Sequence, residues 1–159
     1  MNYLAKHRVT RYGILAALIM GLATAVLTTQ ANTQPAGVVL LANGEAKAQQ
    51  NSDAARTLNR RSDIYVGDHI TTGNGSQLQL RMKDGAMIAL GANAEFVVKA
   101  YSEAAKGDKK DEAVLSLVKG GLRTISGQIA KSTYSMSTPT ATLGIRGTVF
   151  DVYVRDGGS

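Results

Sequence analysis

The sequence predicts an all-β domain behind an apolar N-terminal segment, and three observations predict it. Short runs alternate apolar and polar residues. The clearest is Ser76 to Lys83, where Leu78, Leu80 and Met82 face one way and Gln77, Gln79, Arg81 and Lys83 the other. The 17 glycines punctuate such runs while proline occurs only twice, a pattern of many short turns. The chain has no cysteine, so neither a disulfide framework nor a thiolate zinc site organises it.

Residues 1–31 read as an export signal. Lys6, His7, Arg8 and Arg11 form a basic start, and Ile14 to Leu27 is a run of 14 residues without charge. That length suits a signal-peptide core and falls short of the ~20 residues of a spanning helix. Thr29-Gln30-Ala31 offers a small-x-small cleavage site. The rival reading is an uncleaved inner-membrane anchor, because Tyr12, Gly13, Thr28 and Thr29 extend the run toward spanning length. In both readings the basic end stays in the cytoplasm and the remainder is exported, to the periplasm or beyond. The net charge of +6 owes half its value to this segment: without Lys6, Arg8 and Arg11, 15 basic residues face 12 acidic ones. That balance gives no argument for a nucleic-acid partner.

Residues 32–36 are a polar lead-in, and the β-domain is expected over 37–155 with a tail at 156–159. Val38 to Leu41 is an apolar strand. Asn43-Gly44 is a hairpin signal, with Glu45 to Gln49 as the returning strand. Gln50 to Arg61 is polar and reads as a surface loop. Asp63 to Val66 and His69 to Thr72 are short strands joined at Gly67-Asp68, and Gly73-Asn74-Gly75 turns the chain again.

The next turn can be read in register. A two-residue loop at Asp84-Gly85 would put Ile88 and Leu90 on the face of Arg81. A three-residue loop, Lys83-Asp84-Gly85, pairs Leu80 with Ile88 and Leu78 with Leu90 and keeps the apolar residues together. A slip of one residue flips every side chain, so the pattern selects the three-residue loop. Gly85 then takes the left-handed position and Asp84 caps the turn.

Phe96, Val98 and Ala100 mark another strand. Ser102 to Glu112, with Lys106, Lys109 and Lys110, reads as an exposed loop. Ala113 to Val118 reads as a strand buried on both faces. Gly120-Gly121 separates it from a further short strand, Leu122 to Ile125. Tyr134, Met136 and Thr138 alternate with Ser135 and Ser137. Phe150, Val152 and Val154 alternate with Asp151, Tyr153 and Arg155. About ten to twelve short strands result.

Chemistry-bearing constellations are scarce. His69 is the only histidine beyond the N-terminal segment and has no nucleophile and base arranged around it. Gly73-x-Gly75 and Gly144-x-x-Gly147 lack the context of a phosphate loop. No catalytic residue, cofactor or metal is expected. Arg56, Arg60 and Arg61 form a basic group that an anionic polymer could contact. Arg146, between two glycines, is expected to bond nearby carbonyls or pair with Asp84 or Asp151; a ligand contact is the alternative.

Thr138-Pro139-x-Ala141, then Arg146-Gly147-Thr148-x-Phe150 followed by alternating β-formers, resembles the C-terminal signature of the FecR domain. That bacterial family is named after a membrane regulator of ferric citrate uptake. Earlier stretches fit the same pattern: Gly67-Asp68-x-Ile70-x-Thr72-Gly73, then Leu80-x-Met82-x-Asp84-Gly85-Ala86-x-Ile88-x-Leu90, then Leu115-x-Leu117-x-x-Gly120-x-Leu122. The resemblance covers roughly residues 37–155. It marks Asp84, Gly85, Gly120, Pro139, Gly144, Arg146, Gly147, Thr148 and Phe150 as motif residues. It implies an elongated, twisted β-solenoid-like stack, which composition does not separate from a β-sandwich. It also implies a periplasmic, non-enzymatic module that passes a signal by protein–protein recognition. Only about eleven residues precede the apolar run, too few for the family's anti-sigma segment, so the full relay is not implied. The alternative function is an envelope module binding glycan or another anionic polymer.

Overall fold

The computed structural model describes residues 34–102, 112–129, 134–145 and 149–155. These form twelve strands and no helix. They are β1 (Gly37–Asn43), β2 (Ala46–Gln50), β3 (Arg56–Thr57), β4 (Asp63–Ile64), β5 (Asp68–Thr72) and β6 (Gln77–Met82), followed by β7 (Met87–Leu90), β8 (Glu95–Ser102), β9 (Glu112–Ile125), β10 (Tyr134–Ser137), β11 (Thr142–Gly144) and β12 (Val149–Val154). The all-β expectation holds. The N-terminal segment, Arg146, Gly147, Thr148 and the lysine-rich stretch lie outside the described residues.

The strands make one curled open sheet with the order β3-β2-β5-β8-β9-β7-β6-β1-β4. Pairing is antiparallel except between β9 and β10, which run parallel. This order establishes neither the expected solenoid-like stack nor a sandwich. The sheet has two wings that share β9. Its first half pairs with β8 and β10, and its second half with β7 and β12.

A crease separates the wings, and four segments cross it side by side. The β1–β2 corner meets the β5–β6 corner, where Glu45 N–H donates to Ser76 Oγ at 2.9 Å and Gly73 N–H to the Glu45 carbonyl at 2.8 Å. Asn93 N–H donates to the Gly73 carbonyl at 3.1 Å, which brings in the β7–β8 corner. Gly91 N–H donates to the Gly121 carbonyl at 3.0 Å, which brings in β9. Thr72 fastens the third corner: its hydroxyl accepts from Ala94 N–H at 2.8 Å and donates to the Gly91 carbonyl at 2.7 Å. Buried backbone polar groups need such partners, and here small side chains supply what the ladder does not.

Three sequence expectations are corrected by this crease. Asn43-Gly44 does not close a hairpin, because β1 pairs with β4 and β6 while β2 pairs with β3 and β5. The glycine lets the chain pass from one wing to the other. Gly120-Gly121 does not separate two strands, because β9 is continuous through both. Gln50 to Arg61 is not all surface loop either. It contains β3, and Leu58 is fully buried, its N–H donating to the Ala46 carbonyl at 2.8 Å.

The inner faces enclose one apolar cluster. Leu78, Leu80, Met82, Ile88 and Leu90 come from one wing, Ile70, Phe96 and Val98 from the other, and Leu115, Leu117 and Leu122 from β9. Burying each of the large aliphatic or aromatic side chains contributes about 1.5–3 kcal/mol. The β6–β7 register is the one the hydrophobic pattern selects: Leu78 faces Leu90 and Leu80 faces Ile88.

Two glycines separate the cost of conformation from the cost of space. Gly85 has φ +88° and open space around an added Cβ, whereas at Gly120, with φ +85°, a Cβ would lie 2.7 Å from Ala94 Cα. Gly85→Ala should therefore cost only the left-handed penalty, about 1–2 kcal/mol. Gly120→Ala should cost clearly more, because Ala94 is held by Thr72. Urea unfolding of the two variants measures the difference; equal losses would mean that the crease is loosely packed.

Candidate functional site

Among the described residues no group of three or more His, Cys, Asp or Glu side chains is placed to hold a metal ion. His69 sits half-exposed on β5 with Nε2 2.6 Å from Glu95 Oε1.

Arg56 is engaged inward. Its guanidinium donates to both carboxylate oxygens of Asp68, at 3.2 and 2.6 Å, and to the Asp63 carbonyl at 3.0 Å, and lies 5.5 Å from the centre of the Tyr65 ring. Asp68 also accepts Tyr65 N–H at 2.8 Å. Burial raises the Asp68 carboxyl above its ordinary value, while the Tyr65 N–H and Arg56 pull it down. Arg60 and Arg61 are exposed on the following turn.

Asp84 is a buried knot at the end of the β6–β7 hairpin, 2% exposed. Its carboxylate accepts Ala86 N–H at 2.9 Å within its own turn and Ile129 N–H at 3.2 Å from the segment after β9. The Tyr101 hydroxyl at the end of β8 donates to it as well. Its carbonyl accepts Gln128 N–H at 3.0 Å. Tyr134 stands close by; burial and then the Asp84 charge push its phenol up, against the opposing pull of Thr124. Asp84 thus ties three elements together and faces no open cleft.

The remaining motif residues are spread out. Gly120 is in the crease. Pro139 lies exposed in the bend between β10 and β11, beside a turn closed by Thr138 N–H to the Ala141 carbonyl at 2.7 Å. Gly144 ends β11 in open space. Phe150 packs half-buried against the core.

The outer face of one wing carries a groove. Cross-strand register sets Gln79, Ala89, Arg123 and Asp151 in one row. The adjoining row holds Gln77, Gly91, Gly121 and Tyr153. Because Ala89, Gly91 and Gly121 are small, the rows form a groove of about 340 Å³. Arg123 Nε and Nη2 donate to the two Asp151 oxygens at 2.7 and 2.8 Å, a bidentate pair. That pair holds the Asp151 carboxyl below the usual carboxylate range and raises the Arg123 guanidinium. Tyr153 lies over Gly121, where an added Cβ would meet ring carbons at 2.7 and 3.0 Å, yet its side chain leaves the residue 75% exposed. The sequence alternation put Asp151 and Tyr153 on one face; it carried no signal that Arg123 would meet them from 28 residues away.

β12 is also an edge. Gly91 N–H bonds the Gly121 carbonyl, so Gly121 and Arg123 turn their peptide groups toward β7. Leu122 and Thr124 turn theirs toward β12, opposite Val152 and Phe150. The peptide groups of Val149, Asp151 and Tyr153 then point outward, and among the described residues no strand pairs with that side.

A family model described as FecR protein matches residues 68–159, more than half of the chain. No curated protein matches the chain, and no solved structure does.

Two outcomes follow from this geometry. Asp84→Ala removes the acceptor of the buried Ala86 and Ile129 N–H groups and should cost about 3 kcal/mol or more by urea unfolding; a loss below 1 kcal/mol would show that the knot is redundant. Asp151, whose folded value is lowered, contributes stability above its unfolded value of about 3.9 and loses it as pH falls through the lower folded value. The melting temperature of the wild type should exceed that of Asp151→Asn at pH 6, and the gap should close toward pH 2.

Proposed function

Because the chain belongs to the FecR family of regulatory, signalling proteins, we propose that it is a non-catalytic interaction module exported to the bacterial envelope, where it passes on the state of a protein partner. The observation that carries this reading is the outward edge of β12. Val149, 55% exposed, and Tyr153 flank a row of peptide groups that no strand among the described residues pairs, the feature that proteins ordinarily cover or blunt. A partner segment in extended form can add itself there as a further strand, gaining main-chain hydrogen bonds without any pocket. The half-buried Phe150, Val152 and Val154 would gain cover from the same addition. The basic start of residues 1–31 and the uncharged run behind it support export. No helix among the described residues is long and apolar enough to cross a membrane.

Val149→Pro tests the reading in the native bacterium. Proline is tolerated at a strand's first residue, removes the outward N–H and obstructs the edge. The variant should keep the wild-type melting temperature within a few degrees. It should lose photo-cross-linking from residue 155 to the envelope partner, and it should reproduce the transcriptional change caused by deleting the gene. Unchanged transcripts in both strains, or cross-linking that survives the proline, would contradict it.

A further inference from the structure

The groove on the outer face shares Tyr153 with the β12 edge but offers side chains where the edge offers peptide groups, and its walls are built and held. We propose that it is a saccharide-binding site for a neutral chain of pyranose rings with equatorial hydroxyls.

Tyr153 supplies the platform. Its ring is pinned by Gly121 below it, and its upper face is open. A flat aromatic face with a polar tip suits a ligand that is apolar on one side and wet on its rim. A pyranose with equatorial hydroxyls has that form, with C–H bonds on its faces and hydroxyls around its edge. The hydroxyls need planar partners that both donate and accept. Gln77 and Gln79 stand exposed along one wall and offer amides of both kinds. Arg123 and Asp151 stand along the other, and the bidentate pair fixes both groups before any ligand arrives. Pre-organisation of this kind lowers the ordering cost of binding.

The charge pattern selects among ligands. Arg123 is matched by Asp151, so the groove presents no unbalanced cation to a sulfated or phosphorylated polymer. The groove is shallow and its walls are the polar Gln77, Gln79, Arg123 and Asp151, so a helix finds no apolar wall against which to bury a face. An extended peptide would find its hydrogen bonds at the β12 edge, not on the face of a sheet whose peptide groups are already paired. A chain of rings can lie across the strands, one ring on Tyr153 and the next over the small residues between the glutamines and Arg123.

The test is a titration of the isotopically labelled full chain with cellohexaose, chitohexaose and, as the anionic arm, heparin hexasaccharide, followed by amide and tyrosine-ring resonances. One or both neutral hexasaccharides should shift Gly91, Gly121, Arg123 and the Tyr153 ring, and heparin should not shift them. Tyr153→Leu, which still covers Gly121, should fold normally and weaken binding at least tenfold. Tyr153→Phe, which keeps the ring, should bind within about threefold of wild type. Shifts confined to other residues, a response to heparin alone, no response to any of the three, or undiminished binding by Tyr153→Leu would each overturn the proposal. Because Val149→Pro leaves the groove intact, loss of saccharide binding and loss of the protein partner are separately observable.

Discussion

The crease is the constraint on which the structure depends. Four stretches of backbone cross from one wing of the sheet to the other, and the three corners among them leave peptide groups that no strand ladder pairs. Neighbouring crossings satisfy one another: Glu45 with Gly73 and Ser76, Gly73 with Asn93, Gly91 with Gly121. Thr72 holds the third crossing from beneath. Side chains must be small here, and the buried Ser76, Thr72 and Ala94 meet that demand. Once the bend is set, the inner faces of both wings turn toward a common interior, and a single apolar cluster can form from short strands.

The same bend decides where recognition surfaces can lie. The inner faces are filled, and the buried Asp84 knot closes the hairpin end by joining β6–β7, β8 and the segment after β9. The outer face of the wing that carries β12 stays open. There the small residues near the crease lower the floor of the groove, and the second half of β9 carries Arg123 to Asp151. Structure-making glycines and a surface groove are therefore two consequences of one packing problem. Gly121 both bonds Gly91 across the crease and accepts the ring of Tyr153.

Much of the local structure was legible in the sequence because period-two alternation is a local signal. The β6–β7 register followed from Leu78, Leu80, Ile88 and Leu90, and the left-handed position of that turn, at Gly85, followed from the register. The crossings were not legible. Asn43-Gly44 and Gly120-Gly121 carry the same local chemistry whether a chain doubles back or bends onward, since positive φ serves both. Only long-range partners such as Ser76 and Ala94 distinguish the two. Leu58 was hidden for a related reason: one large apolar residue in a polar stretch has no periodicity to announce it. The groove was half visible, through the shared face of Asp151 and Tyr153, but the pairing of β12 with β9 that completes it is a matter of topology.

If the crease joins the wings into one cooperative unit, β9 must open as a whole. Native-state hydrogen exchange along β9 tests this directly. Leu115 and Leu117 in one wing, and Leu122 and Thr124 in the other, should exchange with the same opening free energy, equal to that of global unfolding. Opening free energies that differ across Gly120 by more than about 1 kcal/mol would show two separately folding wings and contradict the account.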